Sequence, residues 1–96
     1  MSAISKTVVS IQPGRMEEVA KFLYAHSGAV TELDGMIGFA GAVTGEDEST
    51  LIGLYESSQN ARDASDTVQT IFADMAPFVA SPPERSVYSG AWFPAK

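Results

Sequence analysis

His26 is the one histidine in the chain, and histidine is the residue type that moves protons near neutral pH. It stands at helical spacing from Val19, Phe22, Leu23 and Val30, so a helix there turns it toward an apolar interior. Two roles fit. It is a base that takes a phenolic proton or positions a substrate hydroxyl, or it is a half-buried histidine bonded to a backbone carbonyl or a tyrosine. Tyr24, Tyr55, Tyr88 and Trp92 are the polar-tipped aromatics. Tyr24 falls at the edge of the helical stripe. Tyr88 and Trp92, with Gly90 between them, share one face of a strand of period two. Each carries a donor that needs a partner when buried. Together they stack a flat aromatic ligand or fill an interface between copies.

The stretch SSQNARDASD, residues 57–66, is small and polar for the start of a helix. Ala61 and Ala64 leave room against a sheet, and Asn60 and Arg62 are placed to orient a carbonyl or an anionic group. The competing reading is an exposed, capped first turn. The acidic run Glu46, Asp47, Glu48 lacks the alternating ligand spacing of a calcium loop and has no second cluster. It reads as a solvated hairpin tip, and no metal is expected. There is no cysteine, hence no disulfide, thiolate nucleophile or Cys-ligated metal. Phosphate-loop, G-x-S-x-G and H-E-x-x-H patterns are absent.

Six basic and twelve acidic residues give a net charge of −6, and the basic ones are scattered. Nucleic acid and anionic membrane are poor partners for such a chain. No run approaches the roughly 20 apolar residues of a membrane span, and no signal peptide is visible. The expectation is one domain, residues 1–96, in the cytoplasm.

These residues need elements to position them. A first strand is expected over about Ile4 to Ile11, with Thr7, Val9 and Ile11 on one side and Ile4, Val8 and Ser10 on the other. QPGR stops it. A helix follows over about Arg15 to Leu33, striped by Met16, Val19, Phe22, Leu23, Val30 and Leu33. The second strand places Ile37, Phe39 and Val43 opposite Gly38, Ala40 and Ala42, and the third places Leu51, Gly53 and Tyr55 opposite Ile52 and Leu54. Ser57 or Ser58 caps a second helix striped by Ala61, Ala64, Val68, Ile71, Phe72, Met75 and Val79, which Pro77 kinks or ends. A fourth strand, ERSVYSGAWF, puts Val87, Ala91 and Phe93 on one face and Tyr88 and Trp92 on the other.

The order β-α-β-β-α-β predicts an α+β, ferredoxin-like fold: a four-stranded antiparallel sheet with two helices on one face. The helices cover one face, yet all four strands carry apolar or small residues on both. A second copy packed sheet against sheet about a two-fold axis would cover the other, so a homodimer is expected.

QPGRMEEVAKFL, DGMIGFAGAV, LIGLYESSQNARDA and FADMAPFVASPPE resemble the antibiotic biosynthesis monooxygenase-like family, a branch of the dimeric α/β-barrel superfamily, over about residues 4–93. The resemblance implies a pocket between the sheet and the helices of each subunit. It further implies cofactor-independent monooxygenase chemistry on a small aromatic, phenolic or quinone-like molecule, with no cofactor. Tyr55 stands where many members carry a tryptophan, which marks it with His26 as the catalytic candidates. Phe22, Asn60, Arg62, Phe72, Tyr88 and Trp92 are the candidates for substrate binding. Many members carry a histidine in the second helix, where this chain has Asp63, Ala64 and Ser65. Without that histidine, and without the asparagine and tryptophan that haem-degrading members pair with it, haem is not expected. The alternative is a non-catalytic dimeric module that binds a small hydrophobic ligand or a protein partner.

Overall fold

The computed structural model describes residues 2–94. The elements run β1 (Ala3–Ser10), α1 (Met16–Thr31), β2 (Met36–Gly45), β3 (Glu48–Tyr55), α2 (Ser58–Asp63), α3 (Ser65–Ala73) and β4 (Glu84–Ser89). The strands form one antiparallel sheet in the order β2-β3-β1-β4, the ferredoxin-like arrangement expected from the element order. No helix among the described residues is long and apolar enough to cross a membrane.

On the helix-covered side, β1 presents Ala3, Ser5, Thr7 and Val9, all buried, and β3 presents Ser49, Leu51, Gly53 and Tyr55. The period of two therefore holds along both central strands. Two apolar clusters lie under the helices. One joins Val9, Ile11, Val19, Leu51 and Met75, and the other joins Ala3, Tyr55, Ala61, Ala64 and Val68. Phe72 packs against both. Between the clusters the sheet carries Ser5, Thr7 and Gly53, side chains too small or too polar to fill a core.

Four local expectations are corrected. Ile37 parts from Phe39: a register shift between Met36 and Gly38 puts Met36 in its place on the inner face with Phe39, as a bulge does when it adds one residue to a strand. Tyr24 is 83% exposed and lies off the apolar stripe rather than at its edge. The second helix is interrupted at Ala64, and α3 ends at Ala73. Backbone bonds three residues apart, Asp74 to Ile71, Met75 to Phe72 and Phe78 to Met75, carry the chain on as tight turns because Pro77 has no N–H to continue an α-helix. Strand β4 stops at Ser89, where its partner strand begins at Ala3. Past that point little is left to pair with, and Phe93 is 88% exposed.

Two turns require glycine. Gly14 has φ +79° and Gly35 φ +74°, the left-handed region that side chains with a Cβ avoid. At Gly14 an added Cβ would meet open space, but at Gly35 it would lie 2.3 Å from Asn60 Cγ. Gly14→Ala should therefore cost about 1 kcal/mol from the backbone alone. Gly35→Ala should cost at least about twice that, because the overlap adds to the strain. Urea unfolding of the two variants checks this, and equal midpoints would show that Asn60 moves aside freely.

Candidate functional site

Where the inner face of the sheet turns small and polar, a crevice opens between it and the helices. Ser5, Thr7, Gly53 and Tyr55 form its floor, His26 and Leu23 of α1 one wall, and Ile71 and Phe72 of α3 the other, with Arg85 of β4 at the side. The empty space among the lining atoms is about 480 Å³ with its mouth included. It is drawn out thin: the part wide enough for the centre of a water molecule is about 20 Å³, roughly the room one water needs. A ring-sized ligand therefore enters only by moving side chains.

Tyr55 owes its position to Gly53. A Cβ at Gly53 would lie 2.6 Å from Ser5 Oγ and 3.1 Å from Tyr55 Cε2, so the tyrosine ring lies back over the space that glycine leaves. Its hydroxyl comes 3.4 Å from Arg85 Nη2, with the guanidinium 6.0 Å from the ring centroid. Arg85 stands opposite Thr7 in the β1–β4 pair and so projects from the inner face. Its Nη1 donates to Ser65 Oγ at 2.8 Å and its Nη2 to the Ala61 carbonyl at 3.0 Å. Arg85 thus staples β4 to the junction of α2 and α3.

His26 is held from its own helix. Its Nδ1 lies 2.9 Å from the Phe22 carbonyl oxygen, and because a carbonyl only accepts, Nδ1 carries the hydrogen. Nε2 is left as the acceptor of the neutral ring. The imidazole stacks on Phe22 with ring centroids 4.0 Å apart. Phe22 is thereby a support for His26, packed against the Val9 cluster and outside the crevice lining.

The structure brings His26, Tyr55 and Phe72 together and places the other candidates elsewhere. Asn60 is engaged at the start of α2: Ser57 Oγ donates to its Oδ1 at 2.6 Å and accepts from its backbone N–H at 3.1 Å. Its side chain also packs against Gly35. Arg62 is solvent-exposed in the last turn of α2. Tyr88 lies on the outer face of the sheet opposite Ile4, 55% exposed. Trp92 lies past the end of β4, its Nε1 buried with no acceptor among the described residues. Arg85 reads in the sequence only as one of several scattered basic residues. Its place in ERSVYS, two residues before the inward-facing Val87, was the signal that could have found it.

No protein-family model and no curated protein sequence matches the chain. Solved structures do. A candidate antibiotic biosynthesis monooxygenase from Nitrosomonas europaea superposes with a TM-score of 0.77 at 15% identity, covering 95% of this chain and 91% of that one. One from Bordetella bronchiseptica gives 0.76 at 18% identity, over 95% and 98%. SnoaB, a cofactor-independent oxygenase from Streptomyces nogalater in a single-residue mutant form, gives 0.76 at 6% identity, over 96% and 95%. The chain thus has the fold of the antibiotic biosynthesis monooxygenase-like proteins, as the resemblance in sequence implied.

If Gly53 sets the place of Tyr55, Gly53→Ala should lower stability by about 1–3 kcal/mol through overpacking and change the tyrosine signal in near-ultraviolet circular dichroism. Unchanged stability and an unchanged tyrosine band would show that Ser5 and Tyr55 absorb the extra carbon without rearranging.

Proposed function

We propose that the chain is a cofactor-independent monooxygenase-like enzyme for a small phenolic or quinone-forming molecule bound in the crevice. One observation carries this reading: an apolar crevice has an imidazole, a phenol and a guanidinium on its walls. The imidazole's free nitrogen suits it to accept a proton. Support at the level of fold comes from neighbours that include a protein named as a cofactor-independent oxygenase.

In this reading His26 Nε2 takes the phenolic proton, and Tyr55 orients the substrate oxygen. The guanidinium supplies the fixed positive charge of the crevice, which favours an anionic substrate more strongly where apolar walls exclude water. The electron-rich anion then reduces O₂ directly. A new C–O bond forms at the ring carbon, the C–H bond there is lost, and the second oxygen atom leaves as water. The substrate supplies all four electrons, so no external reductant enters the balance. The same crevice in a non-catalytic module would bind the molecule and leave O₂ untouched.

The unit that does this is read as a homodimer packed through the outer sheet faces. Helices cover one side of the sheet. The other carries Ile4, Val8, Ile52 and Leu54, all partly exposed, beside Tyr88. A second copy would cover this row.

Oxygen-electrode assays over a panel of small phenols and hydroquinones test the chemistry. His26→Ala and Tyr55→Phe should each lower kcat/KM, His26→Ala by about 10²-fold, and prior chelator treatment should leave the rate unchanged. Wild-type rates in both variants would remove these residues from the mechanism, and ligand binding without oxygen uptake would favour the binding module. Sedimentation at micromolar concentration should show a species of twice the chain mass; a monomer would overturn the sheet-to-sheet pairing.

A further inference from the structure

The charge on the crevice wall has no counterpart. The chain has twelve acidic residues against six basic ones, yet among the described residues no aspartate or glutamate lines the crevice, and Arg85 is the one formally charged side chain that does. Among the described residues Arg85 makes no salt bridge; the ion pairs there are Arg15–Glu18 and Lys21–Glu17, at the N-terminal end of α1 and its cap. Its partners, Ser65 Oγ, the Ala61 carbonyl and Tyr55 Oη, are all neutral. They occupy three of the five N–H groups of a guanidinium, and the other two have no acceptor among the described residues.

A neutral side chain such as glutamine would serve as a staple between strand and helix without the desolvation cost of a cation. A partly buried cation without a counter-charge is unfavourable unless something supplies one. No acidic residue of the chain does so in this crevice, although acidic residues are plentiful elsewhere. The three neutral bonds also fix the guanidinium in one pose, so little freedom is left to lose when an anion arrives. Beside it the walls are hydrocarbon and aromatic: Leu23, Phe39, Leu51, Ile71 and Phe72.

We propose that Arg85 is an anion receptor, and that the ligand of this crevice is a planar single-ring carboxylate, its charge docked on the guanidinium and its ring between α1 and α3. The narrowness of the crevice favours one ring over several. This deepens the reading given above and rests on the crevice being the ligand site: the substrate becomes a hydroxyaryl carboxylate, anchored by its carboxylate at Arg85, with its hydroxyl left for His26.

Calorimetric titration with benzoate and with its neutral isostere benzamide decides it. Benzoate should bind the wild-type protein at least about ten-fold more tightly than benzamide, in line with charge-assisted hydrogen bonding. In Arg85→Gln, which keeps N–H donors for the staple and loses the charge, the preference should vanish; in Arg85→Lys part of it should remain. Benzamide binding as well as benzoate, neither binding, or the preference persisting in Arg85→Gln would each overturn the proposal. Should Arg85→Gln fail to fold, the wild-type ratio alone still decides. Oxygen uptake with 2,5-dihydroxybenzoate separates the two readings. Anion preference without uptake retains the receptor and removes the oxygenase, whereas turnover of neutral phenols without anion preference does the reverse.

Discussion

The interaction on which the rest depends is the contact between Arg85 and the junction of α2 and α3. A single side chain from the edge strand β4 crosses the inner face of the sheet and ends on Ser65 Oγ and the Ala61 carbonyl. It meets the helical segment where the helix is interrupted, at Ala64. A continuous helix would direct its carbonyls along its own axis. The interruption instead lets the Ala61 carbonyl accept from the sheet. The position of the second helical layer over Tyr55 is therefore set by a polar bond as well as by the packing of Ala61, Ala64 and Val68.

That bond has a geometric consequence. The inner face of β1 is apolar at both ends, Ala3 and Val9, and polar in the middle, Ser5 and Thr7, with Gly53 of β3 opposite Ser5. Large side chains there would merge the two apolar clusters into one filled core. With a serine, a threonine and a glycine the clusters stay apart, bridged by Phe72, and the space between them is the crevice. Some packing that could have stabilised the fold is absent where the crevice lies, a pattern common at functional sites.

Much of this was legible in the sequence. The period of two in β1 and β3 placed Thr7, Val9, Leu51, Gly53 and Tyr55 on the inner face, and the stripe of α1 turned His26 inward. What escaped depends on partners distant in the chain. Gly53 looks like a weak point in a strand until Ser5 and the ring of Tyr55 are seen to occupy the space its missing Cβ leaves. Asn60 looks like a ligand-binding amide, but the αL turn at Gly35, 25 positions earlier, is what its side chain packs on. Phe93 continued a strand pattern that fails for want of a neighbouring strand. In each case the local pattern was sound and a tertiary neighbour decided the outcome.

Solved structures at 6–18% identity keep the same backbone, so the fold constrains sequence through patterning more than through particular residues. The chemistry cannot be inherited so loosely, because it depends on which side chains reach the space between sheet and helices. The tautomer of His26 is fixed by a carbonyl one turn earlier on α1, a bond any histidine facing inward from this helix can make. The placement of Arg85 requires three things at once: an inward register on β4, a break in the second helix, and a tyrosine lying back over a glycine. Those requirements come from four separate elements. A coincidence of that kind is harder to keep by packing alone than any single polar contact, and it is why the charged wall, rather than the lone imidazole, most distinguishes this crevice from a gap in a core.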